Sequence, residues 1–296
     1  MIYYLFLLIV IFSGAVKGYC GKMTSGYANT VRNASYINCV RFILCSVIGF
    51  FTAFITNGSM PMLDLKGMLI AMLAGFMQML FVITWITSVR SNAYTMTDVF
   101  LTISVLIPSV LSMILYKGES ITLLQWLGFI ILFAAVLIMC SYNNDIKTKL
   151  TPGAVCVLVL CALANGLCDF SQKLFLNSQG ASPDVSSYSF YSYVFASIFL
   201  AIVMLFMKPK NGEKLCNLKS FFGYVIVLAL MMFLNTFFKT QAGKGLSSVQ
   251  IYPVVQGAAL ILSALMSAIF FKEKITLKSI IGIILAFCAL LIINLT

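Results

Sequence analysis

Long apolar runs alternate with short polar breaks from one end of the chain to the other. The runs fall near residues 2–22, 36–57, 67–89, 93–116, 122–142, 153–176, 185–207, 219–240, 246–271 and 276–295. About 20 apolar residues coiled as α-helix rise roughly 30 Å, the thickness of a bilayer's hydrocarbon core. The pattern therefore predicts an all-α membrane protein with ten transmembrane helices. Breaks such as "SNA" after the third run and "GES" after the fourth leave no room for a domain outside the membrane.

One break occurs twice together with the run behind it. "GESITLLQWLG" begins at Gly118 and "KEKITLKSIIG" at Lys272, so that Glu119 falls on Glu273 and Gly128 on Gly282, a shift of 273 − 119 = 154 residues. The copies are five runs apart, and an odd number of crossings makes the second enter from the opposite side. The expectation is two inverted-topology five-helix repeats, residues 1–142 and 153–296, joined by a loop at 143–152.

Composition sharpens this reading. At 61% hydrophobic, 9% charged and a mean hydropathy of +1.05, the chain lies far outside soluble composition. Histidine is absent, which removes the commonest metal ligand and general base, and the nine cysteines include no C-x-x-C pair. No metal, cofactor or enzymatic activity is expected. The net charge of +11 is scattered over short loops and makes no nucleic-acid surface. Of the 19 Lys and Arg residues, 14 fall on the odd loops and their flanks and 5 on the even side, which places the odd loops in the cytoplasm and both termini outside. The first run lacks a basic segment before it and a small-residue cleavage site after it, so it is expected to be retained as a helix of a multi-pass cell-membrane protein.

Charges inside apolar runs cost a few kcal/mol each unless paired or hydrated, and they mark a pathway by default. Lys17, Arg41 and Asp98 are expected in one leaflet and Asp169, Lys239 and Tyr252 in the other, pairing Lys17 or an arginine with Asp98 and Asp169 with Lys239. Tyr94, Asp98, Thr102 and Ser109 share one face of the fourth helix; the shift of 154 carries them to Ser248, Tyr252, Gln256 and Ser263, all polar as well. Two equivalent polar stripes fit two walls of one hydrated cavity. Gln78, Trp85 and Asn235 add polar and aromatic groups on the third and eighth helices. Pro108, Pro253 and Gly257 are candidate hinges.

These residues together resemble the drug/metabolite transporter superfamily in its ten-helix EamA-type form. The shared motif is an acidic hinge followed by x-[IL]-T-L-x-x-x-x-G, present in both halves. Further likeness lies in "VRFIL" around Arg41 and in the run "AYTMTDVFLTISVLIPSV". The resemblance implies a basket of helices 1–4 and 6–9 around a central cavity, helices 5 and 10 outside it, and alternating access. Two features depart from the pattern. The first helix has Lys17 and no acid, whereas four-helix multidrug relatives rely on a glutamate in theirs, and the loop charges favour external termini where relatives are usually drawn with cytoplasmic ones.

The expected function is secondary active transport of a small polar organic metabolite. The alternatives are a flippase for a lipid-linked sugar and a non-transporting receptor or accessory subunit. Expected partners are the small-molecule metabolite and membrane lipid, with a homodimer admitted.

Overall fold

The computed structural model describes residues 2–25, 27–28, 30–90, 100–116, 120–140, 152–180, 183–207, 209, 215–271 and 277–295. Tyr94, Asp98, Glu119, Glu273 and the side chain of Ser263 lie outside the described residues. The described residues form helices and connecting turns and include no strand. The helices are α1 (Ile2–Ser25), α2 (Val31–Asn57), α3 (Leu65–Arg90), α4 (Leu106–Leu115), α5 (Leu123–Cys140), α6 (Pro152–Ser178), α7 (Val185–Phe206), α8 (Phe222–Ala242), α9 (Ser248–Phe271) and α10 (Leu277–Leu295). Six of them, α1–α3 and α6–α8, are long and apolar enough to cross a membrane; shorter apolar helices cover Phe100–Leu115, Leu123–Ala135 and Ile280–Ile293.

Local chemistry sets the boundaries. The Thr30 hydroxyl accepts from the Asn33 amide at 3.0 Å and opens α2, while Asp64 accepts from the Gly67 amide at 2.9 Å and opens α3. Thr122 and Gln125 exchange bonds of 3.2 and 3.0 Å in a capping box at the start of α5. Gly58 ends α2 at φ 65, a left-handed turn that a side chain would strain. Pro108 has no amide to offer the carbonyl of Ser104 one turn earlier, and helical regularity breaks at Val105, ahead of α4. The Ser104 carbonyl lies close against Gly166 of α6, where an added Cβ would come within 2.8 Å of it.

The helices pack mainly across the chain midpoint. α1 lies on α8, α2 on α7, α3 on α6 and α5 on α10, with further contacts of α3 with α7, α2 with α8, α4 with α6, α1 with α9 and α4 with α9. The pairs α1–α8, α2–α7 and α5–α10 run antiparallel, whereas α2–α8 and α4–α6 run parallel. Thr56 meets Ser186 and Cys39 meets the Ser197 carbonyl between α2 and α7. Gln125 reaches the Ile293 carbonyl while Gly128 packs on Ala289 and Ile293 between α5 and α10. Ser112 near the end of α4 meets Ser248 at the start of α9 at 2.8 Å.

The largest core cluster, among α2, α3, α7 and α8, centres on Phe42, Cys45, Met79, Tyr193, Leu200 and Phe233. Large apolar side chains such as Leu8, Phe12, Phe51, Ile55, Ile130 and Ile202 point outward. Such an exterior would be costly in water and suits hydrocarbon.

Candidate functional site

The polar centre of the bundle is built on Asp169 of α6. Its carboxylate forms an ion pair with the Lys239 ammonium of α8, and the two side chains are only 16% and 12% exposed. The Gln172 amide donates to the same carboxylate at 3.4 Å and accepts from the Thr240 hydroxyl at 3.1 Å, so α6 and α8 are joined twice. Tyr252 of α9 donates its hydroxyl to the Asp169 backbone carbonyl at 2.7 Å and turns its ring toward the Lys239 ammonium, 5.8 Å from the ring centroid. An ammonium held between a carboxylate and an aromatic face is compensated twice over, as an apolar interior requires.

Lys17 of α1 approaches this pair, within electrostatic reach of Lys239, Asp169 and Arg41. Two cysteines place it more closely. Cys45 of α2 lies within reach of both Arg41 and Lys17, and Cys168 of α6 within reach of Asp169, Lys239 and Lys17 while sharing a hydrogen bond with the Gln78 side chain. Lys17 is thus within electrostatic reach of both Arg41 and the Asp169–Lys239 pair. The Arg41 guanidinium lies over the Phe42 ring at 5.3 Å, and its Nε is buried without a partner among the described residues. The Gln78 Oε1 is likewise buried without a partner.

The structure therefore brings together six of the candidates: Lys17, Arg41, Gln78, Asp169, Lys239 and Tyr252. Lys17 and Asp169 are expected in opposite leaflets, but in helices running Ile2–Ser25 and Pro152–Ser178 each lies only about one turn from the middle of its helix, close enough for electrostatic contact. The other candidates take different places. Asn235 of α8 donates to the Val10 carbonyl at 2.8 Å and so bolts α8 to α1. Trp85 packs at the edge of the largest core cluster. Thr102 is buried in the helical turn ahead of Val105, and Gln256 is half-buried on α9. Pro108 and Pro253 are buried within their helices, and Gly257 lets α9 approach Leu290 of α10, which an added Cβ would meet at 2.6 Å. Lys173 donates to the Leu246 carbonyl at 3.3 Å and steadies the turn between α8 and α9.

A second polar group lies at the end of the bundle where α2 finishes and α7 begins. Asp184 caps α7 through the Ser187 amide at 3.1 Å and accepts from Ser186 at 2.6 Å and from Asn57 of α2 at 2.7 Å. Partial burial pushes this carboxyl up, but the bonds from Ser186, Ser187 and Asn57 outweigh it and hold the carboxyl below its ordinary value. Beside it Thr56, Asn57, Gln241, Lys244 and Phe237 line a pocket of about 370 Å³. Burial lowers the Lys244 ammonium there, against the raising effect of Asp184. The sequence reading passed over this group, although "SPDVS" before an apolar run is an N-cap signature.

Outward apolar faces, long apolar helices and interior charges compensated within the bundle define a multi-pass helical membrane protein. Residues 152–295 match the model of the EamA-like transporter family, in agreement with the drug/metabolite transporter resemblance. No curated protein matches the chain. Among 28 matching chains of solved structures, one, described only as a crystal structure of a protein, superposes with a TM-score of 0.77. It is 11% identical, with 99% of this chain and 96% of that chain covered, and at that identity the likeness concerns the fold alone.

Proposed function

We propose that the chain is a secondary active transporter for a small polar organic metabolite, working by alternating access between two inverted five-helix halves. The observation that carries this reading is the origin of the charged cluster. Lys17, Arg41 and Gln78 come from the first half, Asp169, Lys239 and Tyr252 from the second, so any rocking of one half against the other opens or closes the cluster.

Packing supports the inversion. Exchanging each helix for its counterpart five places on turns α1–α8 into α6–α3, α4–α6 into α9–α1 and α2–α3 into α7–α8, and all of these contacts occur. The counterpart pairs α2–α7 and α5–α10 run antiparallel, as an in-plane two-fold axis demands. α5 and α10 pack on one another through Leu132, Ala135, Ala286 and Ala289, an apolar seam suited to a scaffold outside the moving basket. The loop charges orient the odd loops to the cytoplasm of a cell membrane.

Purified protein in liposomes, loaded with a metabolite that raises its Tm, is the test. The native chain exchanges that metabolite in counterflow, and Asp169→Asn abolishes exchange while the protein stays folded. Unchanged exchange in Asp169→Asn removes the cluster from the pathway.

A further inference from the structure

Among the described residues, the cluster holds three cations, Lys17, Arg41 and Lys239, against one carboxylate, Asp169, which leaves 3 − 1 = 2 positive charges unbalanced. Asp169 is committed to Lys239, so among the described residues the surplus belongs to Lys17 and Arg41; Asp98, the acid that the sequence assigns to their leaflet, lies outside those residues. These two stand near each other and near Cys45, in a region of low dielectric where like charges repel more strongly than in water. A counter-charge between them removes both the repulsion and part of the cost of holding cations at this depth.

Two unfilled hydrogen-bonding positions say what form the counter-charge takes. The Arg41 Nε–H is one edge of a planar fork, and that fork matches the paired oxygens of a carboxylate or phosphate. The Gln78 side chain is 6% exposed, and its Oε1 accepts nothing from the described residues, so it awaits a donor rather than a second anion. Lys17 and Gln78 are both neighbours of Cys168, which places this acceptor beside the cations.

We infer that the cargo of this site is a small organic oxyanion that also carries a hydroxyl or ammonium group, its oxyanion docked on Arg41 and Lys17 and its donor on Gln78 Oε1. This deepens the transporter reading and rests on it for its physiological meaning. The Asp169–Lys239 pair forms the wall behind the anion and lends it one further ammonium edge.

The test is thermal unfolding of the full chain in lipid nanodiscs with a ladder of probes at millimolar concentration. L-malate, L-aspartate and glycerol 3-phosphate are the oxyanions with a donor, succinate is the oxyanion without one, glycerol is neutral, and putrescine is a dication. At least one of the first three raises the Tm in a manner that fades with added salt, while glycerol and putrescine do not. Arg41→Gln and Lys17→Gln each raise the concentration needed for that shift by about tenfold or more. Gln78→Leu erases any preference for malate over succinate.

The ladder on the native chain stands even if a variant fails to fold. Stabilisation by putrescine or glycerol alone, no shift with any oxyanion, or an oxyanion shift untouched by Arg41→Gln and Lys17→Gln each overturns the inference. Counterflow in liposomes separates it from the transporter reading. An oxyanion that binds but never exchanges removes transport and leaves the site, whereas exchange of a neutral or cationic solute alone does the reverse.

Discussion

Asp169 and Asp184 each tie two helices together, but by different chemistry. Asp169 sits inside the bundle and is answered by a charge, the Lys239 ammonium, with Gln172 in support. Asp184 sits at the start of α7, half exposed, and is answered by neutral donors: two serines and Asn57. In the interior neither member of an ion pair can be given up alone without stranding the other in a medium that does not solvate it. At the end of the bundle water replaces a lost partner at little cost. The first arrangement is therefore sensitive to the entry or loss of a single charge, which a substrate site needs, and the second is a fastening that tolerates substitution.

Asp169→Asn should break the comparison most severely. It leaves Lys239 without its counter-charge and costs about 3–5 kcal/mol of stability together with transport. Adding Lys239→Gln recovers most of the stability, read as Tm in detergent, but no counterflow. Next in size, Asp184→Ala removes the cap of α7 and the bond from Asn57 for about 1–2 kcal/mol and leaves counterflow measurable. Loss of transport in this variant would mean that the end of the bundle is part of the pathway.

The depressed Asp184 carboxyl makes a smaller, pH-dependent contribution. Its folded value lies below the unfolded value of about 3.9, so the stabilisation is present above that pH and is lost as pH falls through the folded value. Solvent screening keeps it to about 1 kcal/mol or less. The advantage of the native chain over Asp184→Ala in unfolding experiments narrows only below about pH 4. Smallest of all, Thr56→Val removes the 2.9 Å bond to Ser186 and costs about 0.5–1 kcal/mol.

The helices were legible in the sequence because hydrocarbon imposes one length and one polarity on whatever crosses it. The Asp169–Lys239 pairing was legible for the same reason, since short acids in apolar runs have few ways to be compensated. What could not be read was anything decided by helix rotation or by residues far away in sequence. Asn235 looks like a binding residue on a helical wheel, yet it is spent on the Val10 carbonyl. Lys17 keeps its expected neighbour Arg41 but also comes within electrostatic reach of Asp169, from which the leaflet count separates it, because depth along α1 and α6 depends on where each helix ends in the fold. The unfilled positions on Arg41 and Gln78 depend on which described residues surround them in space, and no one-dimensional pattern carries that information.

The nesting of α3 on α6, α2 on α7 and α1 on α8 also sets a timetable for biosynthesis. Asn235 and the Val10 carbonyl it holds are 225 residues apart. At about 5–20 residues added per second, α1 waits roughly 10–45 s in the bilayer before its partner leaves the ribosome. The pairs close from the middle outward, so the earliest helix to be made is among the last to be fastened. During that interval Lys17 crosses into the membrane with neither Asp169 nor Lys239 yet made. The nascent first half is therefore the stage at which a membrane insertase or chaperone has most to protect.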